Sequence, residues 1–220
     1  MTRLAAVLAA LTASPALAAG YQVNPDAGNN TFTAVFDAAL GERITAQSSS
    51  VGCTLDYDAA AGVARGTCSV PLGSIVVDNE PTKTEHFQQW TTNKKSDPKA
   101  CAIEARFEGV KVGQLKAETP APFETQATFT VCGRARAGGA AEKVTGTVIL
   151  LPAGTAGAQE TLRIRAHVTG FDRDAYRIGP RYTDGWLARV QSLAKVVAEQ
   201  GDVDVNVFAR PAAAARAATR

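Results

Sequence analysis

Apolar side chains recur at every second position along most of the chain. Phe32, Ala34, Phe36 and Ala38 alternate with polar or small residues, and Val51, Cys53, Leu55 and Tyr57 alternate with Gly52, Thr54, Asp56 and Asp58. The same period returns within 68–72, 101–107, 123–131, 144–150, 162–168 and 203–209. It is the period of a β-strand with one buried face, and about eight such segments predict an all-β chain. One apolar and one polar face per strand suits an antiparallel sheet wetted on one side rather than a parallel sheet covered on both. Closing eight strands into a barrel removes the exposed edges and leaves an interior for packed side chains or one small ligand. A two-sheet sandwich has the same alternation.

In either architecture the apolar parity faces inward. Phe36, Leu55, Phe107, Phe129, Ile164 and Val205 are the expected wall. Ala34, Ala38, Ala105, Ala127, Gly146 and Ala166, on the same parity, leave space. These residues serve a filled core and an open lumen equally well.

Two segments depart from the strand period. Asp78-Asn79-Glu80-Pro81 supplies a cap and a first-turn proline, and the spacing predicts a short helix over 84–91 with Phe87 and Trp90 on one face. Thr183 and Asp184 precede Trp186, Leu187, Val190, Leu193, Ala194 and Val197, with Gly201 as a stop, which predicts a longer helix of about 15 residues. The expected fold is thus all-β and eight-stranded, with one short and one longer helix.

Charge and leader sequence narrow the setting. With 23 basic and 21 acidic residues among 220, the net charge of +2 gives no electrostatic footprint for nucleic acid. Arg3, the apolar run 4–11, Pro15 and Ala16-Leu17-Ala18 read as an export signal cleaved after Ala18 or Ala19. The division expected is a signal peptide over 1–19, a β-domain over 20–210 and a disordered Ala/Arg tail over 211–220. No later stretch approaches the roughly 18 apolar residues of a membrane-spanning helix, so the exported chain is expected to be soluble, in the periplasm or secreted.

Export changes the reading of the four cysteines. In an oxidising compartment Cys53, Cys68, Cys101 and Cys132 are expected to form two disulfides, and four cysteines allow three pairings. Cys53 and Cys68 flank a predicted turn and can face each other across a hairpin, leaving Cys101 for Cys132. Cys132, however, has the opposite parity to Phe129 and Val131, so that bridge needs a bulge or a strand end. No C-x-x-C occurs, and His86 and His167 lie far apart, which disfavours zinc or thiol redox chemistry. His167 falls on a polar face beside Arg163 and Arg165, and His86 beside Glu85 on the short helix; both read as surface residues. No G-x-S-x-G elbow surrounds any serine.

Several segments, in this order, carry a family resemblance: Tyr21-Gln22-Val23-Asn24-Pro25, 74–78, Lys83-Thr84-Glu85-His86-Phe87, the Phe107 strand, Val144-Thr145-Gly146, and 171–179 with Asp172-Arg173 and Tyr176-Arg177-Ile178-Gly179. Together the chain resembles the YceI-like family of exported bacterial proteins. It departs from the family's pattern at Asn24, at Ala27-Gly28, and in the basic connection over 94–100. The resemblance implies an elongated, lipocalin-like antiparallel barrel that holds a polyisoprenoid, a quinone or a similar long-chain lipid without catalysis or cofactor. By the inward parity of this chain, such a lumen would be lined by Ala34, Phe36, Leu55, Ala105, Phe107, Ala127, Phe129, Ile164, Ala166 and Val205. A diphosphate head, if the ligand has one, would look to Arg134, Arg136, Arg173 and Arg177. The rival readings are a filled barrel that binds an envelope protein or a second copy of itself, and an enzyme acting on an isoprenoid or quinone.

Overall fold

The computed structural model describes residues 19–154, 159–183 and 197–212. Its strands are β1 (Ala19–Val23), β2 (Thr31–Ala38), β3 (Arg43–Ser48), β4 (Gly52–Asp58), β5 (Val63–Pro71), β6 (Val76–Val77), β7 (Ala102–Lys111), β8 (Ala121–Val131), β9 (Arg134–Ala135), β10 (Glu142–Leu151), β11 (Thr161–Asp172) and β12 (Val197–Pro211). The helices are α1 (Pro81–Thr92) and α2 (Pro180–Thr183). The strands pair in the order β1-β4-β5-β7-β8-β10-β11-β12, and β12 pairs back with β1. The result is a closed antiparallel barrel of eight strands, and the sandwich is excluded.

Three of the alternating segments are halves of longer, broken strands. One edge of β12 pairs with β1 at Val23↔Ala209 and then with β2 at Phe32↔Val205. Asn30 fills the break between them. It is fully buried, its amide nitrogen donates to the Asn24 carbonyl (2.8 Å), and its amide oxygen accepts from the Phe208 N–H (3.1 Å), so the interrupted ladder leaves no orphaned donor there. Likewise β3 passes into β4 across residues 49–51, and β5 into β6 through the tight turn Leu72–Ser74. β2, β3 and β6 thus extend the sheet above the closed belt, and β6 is held by only two residues, Ala46↔Val77 and Gln47↔Val76. Short segments of this kind carry too little alternation to be seen in the sequence.

The chain leaves β6 into α1 through Asp78 and Asn79, both left-handed (φ 49° and 56°). Pro81 opens the helix as expected, but Asp78 is not its cap. The Asp78 carboxylate accepts from the Thr45 N–H (2.8 Å) and from Lys83 (2.9 Å), while the Thr84 hydroxyl accepts from the Val77 N–H (3.0 Å) and donates to the Glu80 carbonyl (2.8 Å). Asn93, left-handed at φ 52°, ends the helix.

Of the longer helix expected after Thr183, the structure describes only the flanks: Thr183 closes α2. Positions 184–196 lie outside the described residues, and Val197 and Gly201 belong to β12, where Gly201 pairs with Phe36 on one side and Phe171 on the other. Gly201 is a close-approach glycine rather than a helix stop: a Cβ there would sit 2.3 Å from the Val35 carbonyl oxygen. At the other end of β12, Pro211 pairs with Tyr21 and the Ala212 N–H donates to the Gly20 carbonyl (2.9 Å).

Both disulfides are present. Cys53 and Cys68 are direct cross-strand partners in β4 and β5 and are bridged. Cys101 is bridged to Cys132, which lies just past β8 with φ 49° and donates its N–H to the Ala102 carbonyl (2.9 Å). The strand end resolves the parity mismatch. The 112–120 loop crosses the lower end of the barrel, where the Tyr57 hydroxyl donates to the Gly113 carbonyl (2.9 Å) and accepts from the Leu115 N–H (3.1 Å).

Candidate functional site

The inward parity of the strands encloses a lumen of two lobes. The upper lobe, about 290 Å³, lies between β2, β3, α1 and the start of β12; the lower lobe, about 140 Å³, lies within the closed belt. Phe32, Ile103, Phe129 and Val203 line both and form a waist between them. Together the lobes fall within the range of about 300–1,000 Å³ usual for small-molecule sites.

All ten lumen positions named from parity line this space. Ala34 and Phe36 are in the upper lobe, Phe129 is at the waist, and Leu55, Ala105, Phe107, Ala127, Ile164, Ala166 and Val205 are in the lower lobe. Gly146 plays a different part from the one expected. Its partner across β8 is Phe123, and a Cβ at Gly146 would meet that ring at 2.6 Å, so the phenyl already covers the glycine. Leu55 lies over Gly66 in the same way (2.8 Å to Cδ2), and Phe36 over Gly201 (2.5 Å). Each large side chain lies along the wall, and the middle of the lumen stays clear.

The two lobes differ in polarity. Among the described residues lining the lower lobe, Thr125 has the only polar side chain. The upper lobe adds Glu42, Lys83, His86 and Arg173 at its rim. Lys83 is committed to Asp78 (2.9 Å) and Glu80 (3.2 Å), and these hydrogen bonds hold its ammonium above the ordinary lysine value. In Asp78, burial pushes the carboxyl up, but the hydrogen bonds from Lys83 and from the Thr45 N–H outweigh it and the net shift is downward. His86 stacks on Trp90 with ring centroids 5.9 Å apart.

The four arginines proposed for a charged head are not gathered into an anion site. Arg173 donates to three backbone carbonyls, those of Ala198 (2.9 Å), Ile178 (2.8 Å) and Val197 (2.9 Å), and burial pulls its guanidinium below the ordinary arginine value. Arg134 donates to the Tyr176 carbonyl (3.2 Å) and to the Thr91 carbonyl, tying the end of α1 to the turn after β11; burial and the charge of Arg177 both lower it. Arg136 faces the buried Glu142 at 3.5 Å, and Arg177 is exposed and lines neither lobe.

Sequence reasoning missed the α1 contribution. Phe87 and Trp90, placed on one helix face by their spacing, are both half-buried and face the upper lobe together with His86 and Thr91. It also missed the waist, although Phe32, Ile103 and Val203 share the parity of their neighbours and that signal would have found them. Beside the lumen, the fully buried Tyr176 donates to Glu142 (2.8 Å) and stacks on Phe171 (4.8 Å). Burial, then the hydrogen bond to Glu142, raises the Tyr176 phenol above its ordinary value. No group of three or more His, Cys, Asp or Glu side chains suited to a metal occurs among the described residues, and none of their helices is long and apolar enough to cross a membrane.

The fold and cavity together define a closed antiparallel barrel with an internal apolar lumen. A solved structure of this kind, a polyisoprenoid binding domain from Saccharophagus degradans implicated in plant cell wall breakdown, aligns with 89% of this chain and 99% of its own at a TM-score of 0.59 and 13% identity. No family profile and no curated protein matches the chain. At that identity the likeness establishes the fold.

Proposed function

We propose that the protein is a non-catalytic binding or carrier protein of the bacterial periplasm, of the YceI-like kind, whose lumen holds a polyisoprenoid, a quinone or a similar long-chain amphiphile. The observation that carries this reading is the polarity of the lumen: a two-lobed apolar cavity in which, among the described residues, the lower part has one polar side chain, Thr125, and the charged side chains line only the upper part. A chain seated there gains about 0.8 kcal/mol per buried methylene, and a chain of ten carbons offsets a substantial part of the cost of association. The ten lumen residues are the proposed tail contacts. The rim favours an uncharged head, because Arg134, Arg136 and Arg173 are spent on internal partners and Lys83 on two carboxylates. Export fits the two disulfides.

The test is native mass spectrometry, with organic extraction, of the protein purified gently from a periplasm. A stoichiometric excess mass that extracts as a long-chain amphiphile is expected. A clean apo mass that stays unchanged on incubation with isoprenoids and quinones would overturn the carrier reading in favour of a barrel that works through protein contacts.

A further inference from the structure

We propose that the lower lobe is a length gauge for the bound chain, calibrated by the Phe123–Gly146 and Leu55–Gly66 pairs; the inference rests on the lumen taking a long chain, as proposed above. The upper lobe lies against α1, and the lower lobe ends toward Val112, the first residue of the loop that the Tyr57 hydroxyl holds through Gly113 and Leu115, which serves as its floor. A chain that enters at the rim therefore ends against the floor. It reaches the floor only through the waist, so a short chain occupies the upper lobe alone and a longer one must enter the lower lobe. The depth available there is set by how flat the wall lies. Phe123 and Leu55 are the bulky members of the two pairs, and each is laid along the wall by a glycine directly opposite it on the neighbouring strand. With a Cβ at 2.6 Å from the Phe123 ring or 2.8 Å from Leu55 Cδ2, neither side chain could stay in place. The glycines do more than permit close strand approach: they keep the last part of the lumen empty.

Wild-type protein and two variants, each checked for native secondary structure by circular dichroism, would be incubated with primary alcohols from octanol to eicosanol and the bound fraction read by native mass spectrometry. For the wild type, affinity should rise about fourfold per added methylene, the factor corresponding to about 0.8 kcal/mol, up to a cut-off length and no further. Ala166→Leu, which adds bulk beside Gly146 without touching the glycine itself, should move the cut-off to shorter alcohols. Phe123→Ala should move it to longer ones. Neither should change the affinity of the shortest alcohols. A cut-off that stays put in both folded variants, or a loss equal at all lengths, overturns the gauge while leaving the carrier reading intact. Failure of every alcohol to bind the wild type overturns the carrier reading and the gauge with it.

Discussion

The lower and upper halves of this barrel are built from the same eight strands in different ways. Below the waist eight strands pair around a closed ring with a single register shift, between Ala64 and Gly66 of β5, β1 closes on β12, and among the described residues lining the lower lobe only Thr125 has a polar side chain. Above it three strands break, β6 is held by two residues, and α1 takes the place of a continued sheet, bringing Lys83, His86 and the aromatic pair Phe87 and Trp90 to the lumen. Regular alternation makes an apolar vessel, and the polar side chains of the upper lobe come in where the chain departs from it. Each departure exposes backbone groups that a side chain then satisfies: Asn30 at the first break, Thr84 at the helix start, Arg173 at the start of β12.

The sharpest way to break this comparison is Arg173→Ala. The guanidinium binds three carbonyls at the top of the barrel, where β12 also shifts register between Val197 and Gly201. Buried carbonyls left unpaired cost about 1–3 kcal/mol each; these three are part-buried, so a loss of about 2–3 kcal/mol is expected in urea unfolding, with the upper lobe disordered first. A midpoint within error of wild type would mean that water replaces the arginine and that the top is not built around it.

The disulfides separate the halves next. Cys53–Cys68 staples the closed belt on its inner face, and Cys101–Cys132 staples the upper end, where β7 starts and β8 stops. Removing either pair with alanines should cost about 3 kcal/mol, the usual effect of a loop of this size. The belt variant should keep the affinity of short chains for the upper lobe, and the upper variant should lose it. Equal losses of affinity would show that the two halves respond as one body.

These two halves were not equally legible. The eight alternating segments, their inward parity and the ten lumen residues could be read directly because period two leaves little choice of face. Alternation does not distinguish a sandwich from a barrel, since closure depends on the partner of β12 and pairing partners are not written locally. The Gly201 region was misread because a glycine after an apolar run resembles a helix stop, and its actual role, close approach to the Val35 carbonyl and the Phe36 ring, depends on a strand about 165 residues away in sequence. The arginines were read as head-group candidates on charge alone, and charge says nothing about backbone carbonyls brought near by the fold.

A smaller effect comes from Tyr176→Phe. It leaves the buried Glu142 carboxylate without its 2.8 Å donor and with Arg136 only at 3.5 Å, for an expected cost of about 1–2 kcal/mol. Tyr176 and Tyr21 both have phenols raised above the ordinary value of 10.0, by burial first and then by hydrogen bonds to Glu142 and Glu160. In the unfolded chain they ionise at that ordinary value, so their contribution is complete below pH 10 and is lost as pH rises toward the folded value. Urea midpoints should therefore fall with pH above about 10, and Tyr176→Phe should flatten that fall. A slope unchanged in the variant would place the alkaline sensitivity elsewhere.

The two histidines give the smallest contrast and the cleanest control. His167 sits on the outer wall, cross-strand from Asp204 with Nδ1 to Oδ1 at 2.8 Å; the Asp204 side chain is largely open to solvent and that of His167 partly so. An exposed pair of this kind contributes about 0.5 kcal/mol at most, so His167→Ala should leave ligand occupancy unchanged and shift the urea midpoint marginally. His86 is also exposed, yet it lines the rim and stacks on Trp90. Its replacement by alanine should lower the affinity for every chain length by about fivefold, the order expected for losing one aromatic contact, with stability unaffected. If the outer-wall change altered occupancy and the rim change did not, the ligand would lie outside the barrel, and the polarity difference between the lobes would have to serve some other end.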